Sequence, residues 1–472
     1  MKKTHNPDIA LLLSAGIITA LYVSLIFNQN IWTDEAFTIQ LVGENDIAGI
    51  IKGTAADVHP PLYYLIVKLF VSLFGSGFWV YKLVSVIPMA LTMLLAVWYI
   101  RPWFGTRTAF LFLLFLNAIP CVMEYGVQIR MYSWSIFFLT LAALAVYGII
   151  ADGCGKYWCI LSAAALCACY THNFAMISAV FLYLLMGIYL VFRKDMFSKK
   201  TELLRWFLSG TVVGVCFIPW LLVLMRQTRD RVDNYWIEPV TASTVRGYFG
   251  DLFGSGLPYT EGLFAGLLLI AVVSICAVRG RAGKDRFYVA ALLGVPFLTA
   301  SAGILVSVWL TPFFIARYLV PCMGLSALAL AVCFGAGKER YPLSFWALCA
   351  FLAAMTGSSY AANYADEYYS THTDALLRYM EENMGENDVI LYNNQPYGFI
   401  YECYFEADRL CFLEDMDFAS DYDTIWYFDS CVSPWLPDAV LAEHRLKKEY
   451  VDTTGIEQND FVLYRISRQE LE

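Results

Sequence analysis

The first apolar stretch of the chain, Ile9–Phe27, reads IALLLSAGIITALYVSLIF, and it is followed by NQNIW and then by TDEAF at residues 33–37. A run of about 20 apolar residues is long enough to cross the ~30 Å hydrocarbon core of a bilayer as a helix. A short polar stretch with two lysines precedes it, as in a secretory signal peptide. No small-residue cleavage site follows, because the next residues are NQNIW. The stretch therefore predicts a transmembrane helix that is retained.

Similar runs recur along the chain and determine the predicted fold class. The 472 residues are 59% hydrophobic and 15% charged, with a mean hydropathy of +0.55, whereas soluble domains are roughly half apolar and about a quarter charged. We predict an α-helical polytopic membrane protein with about eleven spans. The predicted spans are Ile9–Phe27, Phe78–Trp98, Ala109–Val122, Tyr132–Ile150, Trp158–Tyr170, Phe174–Val191, Trp206–Leu224, Leu263–Val278, Val289–Val308, Phe314–Val332 and Leu343–Met355.

Charge divides the chain into two parts. Residues 358–472 contain 24 acidic and 7 basic residues, whereas residues 1–357 contain 17 acidic and 25 basic residues. We predict a transmembrane domain at 1–357 and an acidic domain at 358–472. The basic residues of the membrane part fall mainly in short loops on one side, which the N-terminus shares, and such loops stay cytoplasmic. An odd number of spans then puts the acidic domain outside the cytoplasm.

Strand and turn patterns in the acidic domain predict a small α/β unit. The predicted elements are helix Thr373–Met384, strand Val389–Tyr392, helix Tyr397–Phe405, strand Leu410–Leu413, strand Thr424–Phe428, a helical patch at Asp438–Glu443, and strands Leu446–Val451 and Phe461–Ile466. Three cysteines, Cys403, Cys411 and Cys431, are placed where a disulfide is possible, but their spacing assigns none.

Two exterior segments are too long to be simple turns. Asn28–Gly77 contains the weakly amphipathic Ile47–Lys52 and the apolar Leu62–Phe74, which is short for a span, so we predict helices that lie in the membrane interface. Met225–Glu261 carries three arginines on the side where basic residues are normally scarce. These residues, Arg226, Arg229 and Arg231, either have a function or form a solvated ion-pair cluster with Asp230 and Asp233.

Most of the unusual polar residues of the membrane part fall at the exterior ends of the predicted spans. Ionisable groups at membrane depth are costly and usually face a cavity, so their common side predicts one outward-opening site. The candidates are Asp34, Glu35, His59, Glu124, Arg130, Tyr132, His172, Asn173, Arg226, Arg317 and Tyr318.

Five motifs, in this order, resemble the membrane glycosyltransferases of the GT-C superfamily that use polyprenyl-phosphate sugars. These include the protein O-mannosyltransferases of glycosyltransferase family 39 and the lipid A aminoarabinose transferases. The motifs are Trp32-Thr33-Asp34-Glu35-Ala36, His59-Pro60-Pro61-Leu62-Tyr63-Tyr64, Arg130-Met131-Tyr132-Ser133, Ile218-Pro219-Trp220 and Ala316-Arg317-Tyr318-Leu319-Val320-Pro321. Each motif is weak alone, but their order and common side make the resemblance fairly specific. It implies a GT-C-like fold in the bacterial cell (inner) membrane.

Sugar transfer from a lipid phosphate requires a base that takes the proton of the acceptor hydroxyl, and a carboxylate in a partly dry cleft suits this role. In the family that the motifs resemble, the acidic residue of the first exterior loop is catalytic. We carry this role onto Asp34, with Glu35 as its neighbour. Adjacent side chains point apart, so only one of the two is expected to face the anomeric carbon. The structural alternative is that Asp34 caps the following helix.

The leaving group is a lipid phosphate, and fixed cations stabilise the charge that develops on it. Arginine suits this role because its planar fork pairs with two phosphate oxygens. Arg130 and Arg317 each open a predicted span from the exterior, so both are expected to bind the phosphate, unless they are interfacial anchors or partners of a nearby acid. His59 either contacts the phosphate or caps the helix that Pro60 and Pro61 begin.

The other substrate-binding candidates are Tyr132, His172, Arg226 and Tyr318. A lone histidine at a helix end, such as His172, is equally compatible with a structural role. Many relatives carry an acid two residues before the arginine of the third motif, whereas this chain has Gln128 there, with Glu124 six residues before Arg130. A second catalytic carboxylate is therefore not assigned.

These residues predict an inverting transferase that moves a sugar from a polyprenyl-phosphate donor to a lipid, glycan or protein acceptor on the extracytoplasmic face. No cofactor, metal ion or nucleic-acid partner is expected, and membrane lipids are the remaining partners. The main alternative is a transporter or lipid flippase, although neither similarity between the two halves nor charged midplane helices are visible. A membrane-anchored interaction module that works through its acidic tail is a third class.

Overall fold

The computed structural model describes residues 9–27, 30–193, 196–230, 237, 239–254, 260–277, 283–335, 342–365, 372–452 and 461–468. The helices are, in chain order, α1 (Ile9–Ser24), α2 (Thr33–Glu44), α3 (Ile47–Ala56), α4 (Leu62–Phe74), α5 (Phe78–Leu95), α6 (Arg101–Phe104), α7 (Thr106–Ala118), α8 (Pro120–Tyr125), α9 (Tyr132–Asp152), α10 (Lys156–Thr171), α11 (Asn173–Phe192), α12 (Met196–Asp230), α13 (Ala242–Phe253), α14 (Thr260–Ala277), α15 (Gly283–Trp309), α16 (Met323–Gly335), α17 (Pro342–Ala365), α18 (His372–Asn383), α19 (Gln395–Tyr404) and α20 (Asp438–Glu443). The strands are β1 (Val389–Tyr392), β2 (Leu410–Phe412), β3 (Ile425–Asp429), β4 (Leu446–Tyr450) and β5 (Val462–Arg468).

Within the described residues, seven helical segments are long and apolar enough to cross a membrane, which confirms the predicted polytopic α-helical class. They are Phe78–Phe104, Tyr132–Asp152, Asn173–Phe192, Lys199–Arg229, Gly283–Trp309, Ala316–Gly335 and Leu343–Tyr364. Shorter apolar helices include α1, α7 and α14. Each predicted span overlaps helical structure in the described residues, and Val278, the last residue of the span Leu263–Val278, lies outside those residues.

Helix α12 illustrates why these segments require a lipid solvent. Leu208, Val212 and Val215 are 52–58% exposed although all three are apolar. An extended exposed apolar surface is unfavourable in water but is compatible with hydrocarbon. We therefore interpret this face of α12 as a surface that contacts lipid.

The predicted spans Ala109–Val122 and Phe314–Val332 are not single α-helices in the structure. The span Ala109–Val122 is interrupted after Ala118, because Pro120 lacks an amide donor and starts the separate helix α8. The span Phe314–Val332 opens with a 3₁₀ helix, Ala316–Cys322, before α16. Tight 3₁₀ turns are frequent at the ends of α-helices.

The predicted exterior segment Met225–Glu261 is also partly helical. Helix α12 continues to Asp230, so Arg226 lies on a helix rather than in a loop. Helix α13 follows, and the side chain of Thr241 caps its N-terminus. Arg231 and Asp233 lie outside the described residues.

The chain divides into two compact units. The membrane unit comprises Met1–Ile26 and Asn45–Ala362, and the sheet unit comprises Phe27–Glu44 and Asn363–Glu472. Within the membrane unit, α16 approaches α9 closely at Gly324, where an added Cβ would lie 2.0 Å from the Thr140 hydroxyl oxygen. This close packing joins the helix that follows the 3₁₀ segment Ala316–Cys322 to the helix that begins at Tyr132.

The sheet unit contains five strands in the order β2-β1-β3-β5-β4, within the described residues. Strand β1 is parallel to β2 and β3, whereas β5 is antiparallel to β3 and β4. Apolar clusters cover both faces of β3: Tyr427 packs with Leu441 of α20 on one face, and Trp426 packs with Met380 of α18 on the other. Strand β3 is buried along its whole length because helices lie on both sides.

Helix α2 packs within the sheet unit against α19. The Gln40 side chain donates to the Phe399 carbonyl oxygen at 2.9 Å and to a Glu402 carboxylate oxygen at 2.7 Å. The sequence predicts α19 as a helix at Tyr397–Phe405 but does not predict its pairing with α2, which is a tertiary feature. The thiols of Cys403, Cys411 and Cys431 are free in this unit.

Candidate functional site

A cluster of aromatic rings around His172 lies in the membrane unit. The His172 ring centroid is 5.6 Å from that of His59, 5.5 Å from that of Tyr132 and 5.6 Å from that of Tyr318. All four side chains are buried, with exposed fractions of 8% or less. The structure thus brings together four of the residues that the sequence selects as substrate-binding candidates.

Local hydrogen bonds fix His172 and the neighbouring segment. His172 lies in the turn between α10 and α11 with extended backbone, and its Nδ1 accepts the Phe174 amide proton at 3.1 Å. The adjacent Asn173 donates from its side chain to the Val58 carbonyl oxygen at 2.8 Å. Since Val58 precedes His59, this bond ties the start of α11 to the segment that carries His59.

Arg130 lies in the non-helical segment that immediately precedes α9, and it is 3% exposed. Its carbonyl oxygen accepts the Ser85 hydroxyl proton at 3.4 Å, and Ser85 also shares a hydrogen bond with the Tyr63 hydroxyl at 3.1 Å. These contacts hold the arginine segment against α4 and α5. The position at the opening of a span agrees with the prediction.

Arg317 lies in the 3₁₀ helix Ala316–Cys322 and is half-buried. The segment before it is fixed because the Tyr248 hydroxyl donates to the Phe314 carbonyl oxygen at 2.7 Å. The ring of Tyr318, next in sequence, stacks on Phe174 with centroids 4.9 Å apart. A short rigid turn therefore carries both Arg317 and Tyr318.

Burial and two guanidinium groups determine the protonation state of His172. Burial, and then the positive charges of Arg130 and Arg317, lower the pKa of His172 to about 3. Both arginines belong to segments that contribute a ring to the cluster, because Arg130 precedes Tyr132 by two residues and Arg317 directly precedes Tyr318. His172 is consequently neutral at physiological pH.

Carboxylate and amide groups lie near the same arginines. Gln128 donates to a Glu124 carboxylate oxygen at 3.3 Å. Burial and then the Glu124 charge raise the pKa of Tyr125, whereas Arg317 lowers it. Glu124 and Arg317 therefore both act on Tyr125.

Asp34 and Glu35 lie in the first turn of α2, which belongs to the sheet unit. Glu35 is fully buried, and its carboxylate accepts the Trp32 amide proton at 3.2 Å. Asp34 is half-buried at the second helical position, one residue after the start of α2. The contact that closes the N-terminal turn is therefore made by Glu35, and Asp34 does not occupy the N-cap position.

The environment of Glu35 includes groups of α19. Burial raises the pKa of Cys403 to about 12, with further contributions from Glu402, Glu44 and Glu35. Burial also raises the pKa of Tyr404, to which Cys403 and Glu35 contribute. Glu35 is thus embedded among side chains of its own unit.

Arg226 is the exposed member of the predicted set, near the C-terminal end of α12. Its neighbour Gln227 is buried and donates to the carbonyl oxygens of Thr54 and Ala55 on α3. These bonds join α12 to α3. The exposure of Arg226 agrees with either of its two predicted roles.

An apolar pocket of about 380 Å³ lies in the membrane unit between α3, α4, α10 and α12. It is lined by Ile51, Ala55, Pro61, Leu62, Leu65, Tyr170, Pro219, Trp220 and Val223. Pro61 is two residues after His59, so the pocket begins beside the segment that carries His59. Two of the five sequence motifs contribute to its wall.

Lys82 is a buried charged residue that the sequence analysis missed. It is fully buried in the first turns of α5, on the same helix face as Ser85. A lysine inside an apolar span is costly and usually marks function. The sequence alone could have indicated Lys82, because it is a charged residue near the start of the predicted span Phe78–Trp98.

Within the described ranges, no group of three or more histidine, cysteine or carboxylate side chains is close enough together to hold a metal ion. Arg130 and Arg317 supply positive charge near the cluster, and guanidinium groups favour an anionic ligand.

The family model described as dolichyl-phosphate-mannose-protein mannosyltransferase matches residues 58–222. No curated protein sequence matches the chain.

Two crystal structures of ArnT from Cupriavidus metallidurans share the fold. The apo structure is 12% identical with a TM-score of 0.63, and it covers 96% of this chain and 97% of that chain. The structure bound to undecaprenyl phosphate is 13% identical with a TM-score of 0.61, and it covers 97% of each chain. The resemblance of this chain to the GT-C membrane glycosyltransferases that use polyprenyl-phosphate sugars is therefore confirmed, by the family model over residues 58–222 and by the fold over nearly the whole length.

Proposed function

We propose that this protein is an inverting glycosyltransferase that moves a sugar from a polyprenyl-phosphate donor to an acceptor on the extracytoplasmic face of the membrane. The observation that carries the proposal is the buried cluster of His59, Tyr132, His172 and Tyr318. Arg130 lies two residues before Tyr132, and Arg317 lies directly before Tyr318, each at the opening of an apolar helical segment. The match to the mannosyltransferase family model and the fold of ArnT support a lipid-linked sugar as donor. One of the ArnT structures contains undecaprenyl phosphate, a ligand of the proposed donor class.

The two arginines suit a phosphate whose charge increases during the reaction. The donor is a phosphodiester with one negative charge, and the product lipid phosphate carries about −1.5 to −2 at pH 7. Fixed guanidinium groups in a partly dry site stabilise that developing charge without reorganisation. Arg130 and Arg317 are assigned this role, and His59 and the other ring residues of the cluster surround the ligand.

The lipid part of the donor requires an apolar surface next to the phosphate site. The pocket beside Pro61 and Leu62 meets this requirement, because its lining is almost wholly apolar and the pocket begins two residues after His59. We assign this pocket to the first isoprene units of the lipid.

Asp34 is proposed as the general base. The acceptor hydroxyl oxygen attacks the anomeric carbon while the bond from that carbon to the phosphate oxygen breaks, and the hydroxyl proton passes to the Asp34 carboxylate. One displacement inverts the anomeric configuration. Glu35 supports the turn through its bond to the Trp32 amide.

The proposal retains the predicted topology. Residues 1–357 form the transferase domain in the bacterial cell membrane, with the N-terminus in the cytoplasm. Residues 358–472 form the extracytoplasmic domain. The acceptor is a lipid, a glycan or a protein.

The test is a transfer assay with purified protein, a radiolabelled polyprenyl-phosphate sugar and extracted envelope acceptors. Arg317→Ala should lower donor affinity or turnover by roughly 1.5–3 kcal/mol, the scale of a hydrogen bond to a charged group, while Arg317→Lys rescues only in part. Arg246→Ala is a matched control, because Arg246 is exposed on α13. A wild-type protein that neither binds nor transfers any such donor, or an Arg317→Ala protein that matches the control, would contradict the proposal.

A further inference from the structure

The hydrogen bonds of His172 determine which of its ring nitrogens carries the proton. Nδ1 accepts the Phe174 amide proton at 3.1 Å, so this nitrogen presents a lone pair. The proton of the neutral ring is therefore on Nε2, which is a donor. Nε2 has no hydrogen-bond partner among the described residues, although the side chain is only 1% exposed.

A buried donor without a partner is uncommon in native proteins, because it forfeits its bond to water and gains none in return. Such a group usually indicates a ligand when it faces a cluster of functional residues. The His172 ring faces His59, Tyr132 and Tyr318, within the reach of two guanidinium charges.

The groups around His172 determine what it can bind. Arg130 and Arg317 supply two positive charges and favour an anion. They also disfavour protonation of His172, whose pKa they and burial lower to about 3. His172 therefore adds a directed N–H donor to the site but no third charge.

We propose that the Nε2–H group of His172 donates a hydrogen bond to a phosphate oxygen of the lipid-phosphate ligand. This inference rests on the proposed function and deepens it, because it names the atom, its tautomer and its neutral state. In this arrangement the phosphate is bound by the guanidinium groups of Arg130 and Arg317 and by the neutral N–H donor of His172. His172 does not exchange a proton with the substrate in this arrangement, so it is a binding residue and not an acid or a base.

Two substitutions separate this role from the structural one. Asparagine places its side-chain oxygen near the position of Nδ1, so His172→Asn keeps the bond to the Phe174 amide but loses the Nε2–H donor. Glutamine places its amide nitrogen near the position of Nε2, so His172→Gln keeps a donor but loses that bond. The inference predicts that His172→Gln binds lipid phosphate better than His172→Asn. A purely structural role predicts that the folded variants bind equally well and differ only in folding stability, with His172→Asn the more stable of the two.

The measurement is binding of undecaprenyl phosphate, without sugar, to the full-length protein in detergent, by ligand-induced thermal stabilisation and by titration. The melting temperature without ligand is recorded for each variant, so that a folding defect is separated from a binding defect. We expect about tenfold to hundredfold weaker binding for His172→Asn and a smaller loss for His172→Gln. If His172→Asn fails to fold, His172→Gln alone tests the inference. Its melting temperature is compared with and without undecaprenyl phosphate, and a complete loss of the ligand-induced increase would overturn the inference.

The possible outcomes distinguish the inference from the proposed function. Wild-type binding with equal, undiminished binding by both variants would overturn the role of His172 and leave the proposed function intact. A loss confined to the sugar-bearing donor, with normal binding of undecaprenyl phosphate, would move the contact to the sugar and overturn the phosphate assignment. A wild-type protein that does not bind undecaprenyl phosphate would overturn the inference together with the proposed function.

Discussion

Replacing Asp34 by asparagine tests the proposed base while it changes the shape of the side chain very little. Asp34 is half-buried in the first turn of α2, where its charge interacts favourably with the helix N-terminus by about 0.3–1 kcal/mol. Asparagine removes that charge, so we expect a loss of folding stability of at most about 1 kcal/mol. The loss of basicity should lower transfer by about 10²- to 10⁴-fold, the usual range for general-base catalysis. This corresponds to about 3–5 kcal/mol in the activation free energy.

Glu35→Gln is the internal comparison, and the structure predicts a different balance for it. Glu35 is fully buried and its carboxylate accepts the Trp32 amide proton, so loss of the charge weakens a buried charge-assisted bond. We expect a stability loss of about 1–3 kcal/mol and a smaller loss of transfer rate than for Asp34→Asn. Asp34→Asn should therefore have the larger effect on the transfer rate, and Glu35→Gln the larger effect on folding stability.

The assay is transfer by purified protein with a polyprenyl-phosphate sugar at saturating donor, with thermal unfolding and donor binding measured on the same preparations. Asp34→Asn should bind the donor nearly as well as wild type and fail in the chemical step. Wild-type transfer by Asp34→Asn would refute the assignment of the base. A rate loss that merely follows a loss of folded protein would refute it as well.

Two further predictions concern the rest of the chain. A reporter fused at Gly385 should behave as extracytoplasmic, and a cytoplasmic signal would reverse the orientation and place the proposed site residues on the wrong side. In the sheet unit, Asn393→Ala should destabilise by about 2–5 kcal/mol, because the buried amide donates to Asp429 and to the Val432 carbonyl oxygen and accepts the Ser430 amide proton. Limited proteolysis of the full chain measures this, with the exposed Asn387→Ala as a control that should change little, and equal protection of the two variants would contradict the structural role of Asn393.

The fold class and most elements were predictable because they depend on local sequence. Strand Val389–Tyr392 and helix Asp438–Glu443 occur with the predicted bounds, because a short apolar run and a helical pattern are both visible in neighbouring residues. The interruption at Pro120 was within reach of the same reasoning, because proline breaks a helical hydrogen-bond pattern. The continuation of α12 to Asp230 was missed, because polar helix formers after an apolar run leave no stop signal.

The site was only partly predictable. Arg130, His172 and Arg317 were selected because each is a polar residue at the end of an apolar run. Lys82 was passed over, although the same argument applied to it, because it lies slightly inside a span and so resembles an interfacial lysine. The tautomer of His172 could not be predicted, because it depends on a hydrogen bond to the backbone of the next helix.

By itself, the sequence determined that the chain enters a membrane many times and that its acidic C-terminal part is a small α/β unit. These properties depend on the hydrophobicity of the side chains and on the spacing of apolar residues over short stretches of the chain. That the candidate polar residues share one end of the spans stays a prediction. Only the tertiary structure decided that residues far apart in the sequence, His59, Tyr132, His172 and Tyr318, form one buried cluster, and that α2 pairs with α19 in the sheet unit. The physical reason is that packing between distant helices depends on shape and on hydrogen bonds that no local pattern encodes.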